Sequence, residues 1–254
     1  MNFDQVFLQR RSVRAWEERP VSADDKERIL SAALRAPTAG NLTLYTILEV
    51  EDPGLKTRLA DTCDHQPFIA RAPWVLVFLA DFARLVGFFR RHEVPRWCAE
   101  RGREFLLPKE SNLLLAACDA LIAAQTVVCA AEFLGLGSCY IGDIMENGET
   151  HRELLGLPPF VFPITMLCLG YPTESQKSRP QPPRLPRDLV VRRDRYAPYS
   201  ASDYDRMYSD AGYGNAAPTE EADNPGRALY ARKFSAPYCE EMRRSVRAFL
   251  EEWR

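Results

Sequence analysis

Apolar residues along this chain follow two rhythms, and the alternation between them outlines the elements. Phe3, Val6 and Phe7 fit a short amphipathic helix over residues 2–9. Ser22, followed three residues later by Asp25, has the form of a capping box with Asp in place of the usual Glu. Ile29, Leu30, Ala33 and Leu34 then recur at helical spacing until Pro37 ends the run. The β-branched and aromatic stretch LTLYTILEV, residues 42–50, predicts a strand, and a second helix is expected over Pro53 to Cys63. PWVLVFLAD at 73–81 is a continuous apolar run of strand length, which predicts a buried strand. Residues 82–110 are charged and aromatic with little clear period and read as a loop-and-helix excursion. A short strand within 135–143, bracketed by glycines, and a buried strand over 163–172 complete the pattern. Helices and strands are mixed without strict βαβ repetition, so the expected class is α+β with a layered core.

The longest apolar run, Leu113 to Leu134, is long enough to span a bilayer. It carries Asp119, Gln125 and Glu132 and is rich in Ala, and a charge near the middle of a span is expensive. We read it as the central helix of a soluble protein, buried on nearly all sides. The character changes after Gly170. Five of the fifteen residues 172–186 are Pro, which predicts an extended arm. Seven of the ten tyrosines follow residue 190, and residues 237–253 regain helical spacing through Met242, Val246, Phe249 and Leu250. The expected organisation is a core over residues 1–172 and an arm with a C-terminal extension over 173–254 that wraps or docks. RRSVRAF at 243–249 echoes RRSVRAW at 10–16, and inside its helical pattern the second copy reads as a solvated face with an apolar stripe.

Composition narrows the classes. A net charge of -2 lacks the basic excess of a dedicated nucleic-acid binder, so the arginines at 10–14 are a local feature. The seven cysteines form no CxxC pair and mostly lie in apolar runs, as expected of a reducing cytoplasm. The start of the chain has no signal-peptide pattern. Three histidines without ligand spacing make a metal site an unpromising expectation.

Three stretches could carry chemistry. In RRSVRAW, Arg10, Arg11 and Arg14 surround Ser12, a set suited to an oxyanion such as phosphate, although taken alone solvated ion pairs with Glu17 and Glu18 are the plainer reading. APTAGN at 36–41 places Thr38 and Asn41 in a turn at the mouth of a strand, or is a plain turn. LGLGSCYIGD at 134–143 contains Gly142, whose bare backbone could approach a flat ring; as GxGxxG in a βαβ unit it does not qualify, so a Rossmann nicotinamide site is not supported.

Taken in order, RRSVRAW, AALRAPTAGN, DALIAAQTVVCAAEFLGLGSCYIGD and LGYP resemble the FMN-dependent nitroreductase family, from about residue 5 to residue 172. PRLP at 183–186 and the long tail look more like its larger, NADPH-preferring branch. The resemblance implies a nitroreductase-like fold, a mostly antiparallel central sheet flanked by helices, with a C-terminal extension. It implies FMN, with NADPH or NADH as electron donor. Arg10 and Ser12 then match phosphate-contacting positions, with Arg11 also counted among the cofactor-binding residues, and Arg14 falls at the pyrimidine edge, where a cation near N1 and O2 favours negative charge on the ring. Thr38 and Asn41 match a turn beside the flavin that is commonly supplied by the other subunit. Thr43 stands where many members have Gln. Gln66 matches a flavin-contacting Gln of the larger branch. Ile141, Gly142 and Asp143 match the segment whose backbone N–H groups face N5 and O4, and Asp143 replaces a frequent Gly. Arg184 matches the last phosphate clamp, but Pro182 replaces its Lys, so Lys177 or Arg179 could substitute.

The implied activity is ping-pong hydride transfer through flavin N5 from NAD(P)H to nitroaromatics, quinones or flavins, with no protein nucleophile or obligatory acid. The implied assembly is a homodimer in the cytoplasm, with a small-molecule acceptor and neither nucleic acid nor membrane as partner. Alternatives on the same scaffold are a specialised substrate, ferredoxin as electron donor, or FMN binding without turnover.

Overall fold

The computed structural model describes residues 2–209 and 218–254, without the side chains of Tyr208 and Ser209. Tyr213, one of the tyrosines after residue 190, lies outside the described residues. Four strands form one antiparallel sheet in the order β1-β2-β4-β3: β1 Tyr45–Val50, β2 Trp74–Asp81, β3 Gly137–Ile141 and β4 Val161–Gly170. The α+β expectation and the antiparallel sheet both hold. The register between β2 and β4 shifts at Phe78/Leu79, opposite Pro163. Proline brings no N–H to a ladder, and a bulge is where a sheet tolerates one.

Both faces of the sheet are covered. Trp74, Leu76, Phe78 and Ala80 of β2 pack with α1 (Ala23–Ala33) and α5 (Glu110–Phe133), while Val75, Val77 and Leu79 join the second layer with Leu59 of α2 (Pro53–Thr62). Burial on both sides is why β2 reads as an unbroken apolar run. α1 starts where Ser22 Oγ accepts the Asp25 N–H at 3.0 Å. α2 starts where Asp52 accepts the Leu55 N–H at 2.6 Å, with Pro53 at its first position.

The excursion at 82–110 contains two helices, α3 (Ala83–Arg91) and α4 (Val94–Ala99). β1 begins three residues later than expected, because Ala39–Asn41 form a 3₁₀ turn and both Asn41 and Thr43 have positive φ. The central helix departs from expectation more sharply. One face of α5 is buried through Ala116, Ala120, Ala123, Val127 and Ala131, but Leu114 is 69% exposed, and Leu115, Leu121, Ile122 and Phe133 are also exposed. The helix is therefore buried on one side of the chain, and its other side is an apolar stripe. Its Ala-rich composition suits close packing against α1 and the sheet, while the leucines sit on the opposite face.

The chain divides into two compact units, residues 1–179 with 241–254, and residues 180–240. The first ends with α6 (Gly148–Leu155), α7 (Glu174–Lys177) and the later part of α11 (Pro237–Leu250); α8 (Arg187–Val190), α9 (Ala201–Ser209) and α10 (Pro225–Lys233) belong to the second. The division thus falls after Arg179 rather than after residue 172, and the C-terminal residues return to the first unit. Phe249 and Trp253 are buried there. Ser245, inside the echoed RRSVRAF, is fully buried rather than solvated: its Oγ accepts the Gly148 N–H at 2.9 Å and donates to the Met145 carbonyl at 2.7 Å. Within the second unit, Tyr199 donates to the Leu189 carbonyl at 2.6 Å and Arg206 pairs with Asp188 through both carboxylate oxygens.

Candidate functional site

The stretch RRSVRAW is an extended arm pinned to the edge of the sheet. Ser12 bridges Ser138 of β3, and Trp16 bridges Pro172 just past β4. Val13 donates its N–H to the Ser138 carbonyl at 2.9 Å, and Glu17 to the Tyr171 carbonyl at 2.9 Å. Glycine permits this approach. A Cβ on Gly137 would lie 2.4 Å from Val13 Cγ2, and one on Gly170 would lie 2.8 Å from Trp16.

The arm sets out its arginines for different tasks. Arg11 donates to the Lys177 carbonyl at 2.6 Å and also to the Arg179 carbonyl. It therefore shapes the loop after α7. Arg179 returns along the same path, donating its guanidinium to the Ser12 carbonyl. Arg14 lies 5.8 Å from the Phe68 ring, and Gln176 Oε1 accepts its N–H at 3.1 Å. Arg10, Arg14 and Arg179 all act on Cys139 of β3: burial raises that thiol's pKa, and these three cations pull against the rise. Three positive groups thus surround β3 at Cys139, and one of them, Arg179, is bonded to the half-buried Ser12. Glu132 of α5 faces the arm from beneath; burial pushes its pKa up to about 7 against the opposing pull of Arg10 and Arg11. Lys177 points elsewhere, to Glu174 at 2.6 Å and Glu17 at 3.5 Å.

The end of β3 carries a second group of expected residues. Ile141 is buried, Gly142 is exposed, and Asp143 is half-buried at the start of a 3₁₀ turn that runs to Met145. Gln66 donates Nε2 to Asp143 Oδ2 at 2.7 Å and to the Cys63 carbonyl at 2.9 Å. Two residues that the sequence resemblance had assigned independently are therefore bonded. A Cβ on Gly142 would meet nothing within 4 Å, so space lies open beside this backbone.

Thr38 and Asn41 occupy the turn before β1. Its anchor is Asp119 of α5, only 2% exposed. Asp119 accepts the Thr38 hydroxyl, the Ala39 N–H at 3.0 Å and the Leu44 N–H at 3.2 Å. Thr38 Oγ1 in turn accepts the Thr43 N–H at 2.8 Å. The Thr38 hydroxyl thus builds the turn, while Asn41 is exposed with φ 57°. Arg184 belongs to the second unit and is exposed there.

Sequence reasoning missed Asp119 as an anchor, treating it only as a charge inside an apolar helix. The available signal was the combination: a carboxylate on an Ala-rich, core-facing stripe needs donors, and a polar turn such as APTAGN supplies them. It also missed Phe68 and Gln176, which support Arg14 and have no local motif. Among the described residues no cluster of His, Cys, Asp and Glu suits a metal ion.

Comparison with known proteins places this geometry in context. Residues 7–171 match the Nitroreductase family pattern. The oxygen-insensitive NADPH nitroreductase of Salmonella typhimurium is 34% identical over 194 residues, 76% of this chain and 74% of that protein. The FMN reductase [NAD(P)H] of Bacillus subtilis is 33% identical over 189 residues, 73% of this chain and 71% of that protein. Among solved structures, the NADPH:FMN oxidoreductase from Vibrio harveyi complexed with NAD+ superposes with a TM-score of 0.72 at 26% identity, covering 93% of this chain and 96% of that one.

Proposed function

Because this chain belongs to the nitroreductase family, we propose that it is an FMN-dependent NAD(P)H oxidoreductase that passes electrons to nitroaromatics, quinones or flavins. The observation that carries the reading is the gathering of Arg10, Arg14 and Arg179 about β3, with Arg179 bonded to Ser12, while Gln66 and Asp143 join just past the end of that strand. The donor set fits FMN. Guanidinium groups and a hydroxyl suit a phosphate. Gly142, with open space beside it, suits the edge of a flat ring.

FMN, when bound, supplies the two-electron redox chemistry. The protein's part is to hold and bias. Arg10, Ser12 and Arg179 hold the phosphate, and Arg11 fixes the loop from which Arg179 reaches. Arg14, braced by Phe68, sets a positive charge at the pyrimidine edge. The backbone of Ile141, Gly142 and Asp143 offers N–H groups where negative charge develops, and Gln66 fixes Asp143. Thr38 and Asn41 complete the wall from the other subunit of a homodimer. The apolar stripe of Leu114, Leu121 and Ile122 on α5 supports the dimer, since a face of this kind needs cover. We place the enzyme in the cytoplasm, with small-molecule partners alone.

The test is an anaerobic absorbance titration of the purified protein with NADPH and then NADH. The expected result is a flavin spectrum that bleaches with one or both donors and recovers on adding a quinone or nitroaromatic. Bound flavin that neither donor bleaches would favour ferredoxin as donor or a non-catalytic role. Colourless protein that cannot be loaded with FMN would overturn the reading.

A further inference from the structure

The turn after β3 carries two carboxyl groups, and one of them is enclosed by negative charge. Glu146 is 3% exposed, and its Oε1 is buried with no hydrogen-bond partner. Its backbone N–H donates to the Asp143 carbonyl at 3.0 Å, so both carboxyl groups rise from one tight turn. The groups that act on it are Asp143 of its own turn, Asp64 just past α2, and Glu241 of α11. Arg244 of α11 is committed to Glu149 and Glu241, in bonds of 2.8 and 2.9 Å. His151 of α6 is fully buried, with Nδ1 at the Ile144 carbonyl (2.9 Å) and Nε2 at the Thr62 hydroxyl (2.8 Å), and burial holds its pKa down. The Cys63 thiol is raised by burial, so it too contributes no charge at neutral pH. Burial first, then these carboxylates, push the Glu146 pKa up to about 8.

An ionised carboxylate without a cation is costly in such a place, and retaining a proton avoids the cost. The retained proton lies three residues from Asp143, whose other neighbour is Gln66 Nε2. We propose that Glu146 is the proton store for acceptor reduction, its carboxyl proton passing to Asp143 and from there to the acceptor seated beside Gly142. The proposal rests on the FMN-dependent reading, which puts residues 141–143 at the reacting edge. The chemistry balances. Converting a quinone to a hydroquinone adds one hydride and one proton. NAD(P)H gives up the hydride and becomes NAD(P)+. The Glu146 O–H bond breaks as the Asp143 carboxylate takes that proton; Asp143 then hands the same proton on, its carboxylate is restored, and an O–H bond forms on the hydroquinone. Water then refills Glu146. Glu146 is a positioning residue and proton store in this scheme, since it touches neither cofactor nor acceptor.

Two readouts test it. The first is a ¹³C NMR titration of the side-chain carboxyls, with Glu146 assigned by the resonance missing from Glu146→Gln. A midpoint near pH 8 is expected, and a midpoint near the ordinary 4.5 would overturn the store. The second is stopped-flow measurement of the two half-reactions in FMN-loaded protein. Glu146→Gln should keep wild-type FMN content and wild-type bleaching by NAD(P)H, while recovery with a quinone slows about a hundredfold. Wild-type recovery should fall as pH rises through about 8, and the variant should lose that break. Glu146→Gln with wild-type recovery at every pH would overturn the relay and leave the FMN reading intact. Protein that takes up no FMN would overturn both.

Discussion

Arg179 and Lys177 sit two residues apart on one loop, yet the fold has separated their roles. Lys177 is turned to Glu174 and Glu17, whereas Arg179 reaches back across the arm to the Ser12 carbonyl. If the phosphate lies by Ser12, only the second is in place to take over from the clamp lysine that Pro182 replaces. We therefore expect Arg179→Ala to weaken FMN binding about tenfold or more, from the loss of a charge-assisted contact worth about 1.5–3 kcal/mol. Lys177→Ala should change it little, because its ion pairs are exposed. Fluorescence titration of FMN into the two variants measures both. Equal losses would mean that the loop adopts another path when the cofactor is present. The sequence could name both residues as candidates but could not choose, since the choice depends on Arg11 holding two backbone carbonyls more than 160 residues away along the chain.

At the scale of elements, the turn between α1 and β1 is held from outside itself. Local chemistry marks a turn at Pro37–Asn41, and that much was legible. The positive φ of Asn41 and Thr43 depends on bonds to Asp119 of α5, far away in sequence. Asp119→Ala should cost about 3 kcal/mol, because it strands buried donors rather than merely deleting a bond. Urea denaturation of the cofactor-free protein is the measurement. A loss below about 1 kcal/mol would show that water replaces the carboxylate. Asp119→Asn should recover part of the loss, since its amide oxygen still accepts. β2 and β4 were legible because each is buried on both faces and so reads as an apolar run, and β1 through its β-branched and aromatic residues. The late start of β1 was not, because it is set by this tertiary anchor rather than by any residue in the strand.

At the scale of the molecule, α5 separates what composition can say from what it cannot. Hydropathy finds a long apolar helix but does not distinguish one covered by its own chain from one covered by a second copy. The structure shows which side its own chain covers: the alanines face α1 and the sheet, and Leu114, Leu121 and Ile122 face outward. A dimer built on this stripe should come apart when Leu121 and Ile122 are both changed to Glu. Sedimentation should then report about half the wild-type mass, with loss of FMN because Thr38 and Asn41 no longer reach the partner's site. A double variant that stays dimeric would move the interface elsewhere. The change in composition near residue 172 precedes the division of the chain, which falls after Arg179. The return of residues 241–254 to the first unit was not legible, because it rests on packing of Phe249, Trp253 and Ser245 that no local pattern announces.

The bare edge of Gly137 ties these scales together. By admitting Val13 against β3, it helps pin residues 12–16 to the sheet edge through two isolated bridges rather than leaving them a loose tail. The arginines that would grip the cofactor therefore share the cooperativity of the sheet. Occupancy of the phosphate end should then be linked to the persistence of β3, each favouring the other by mass action, so that release of a bound group is governed by the fraying of a strand rather than by the swing of a side chain.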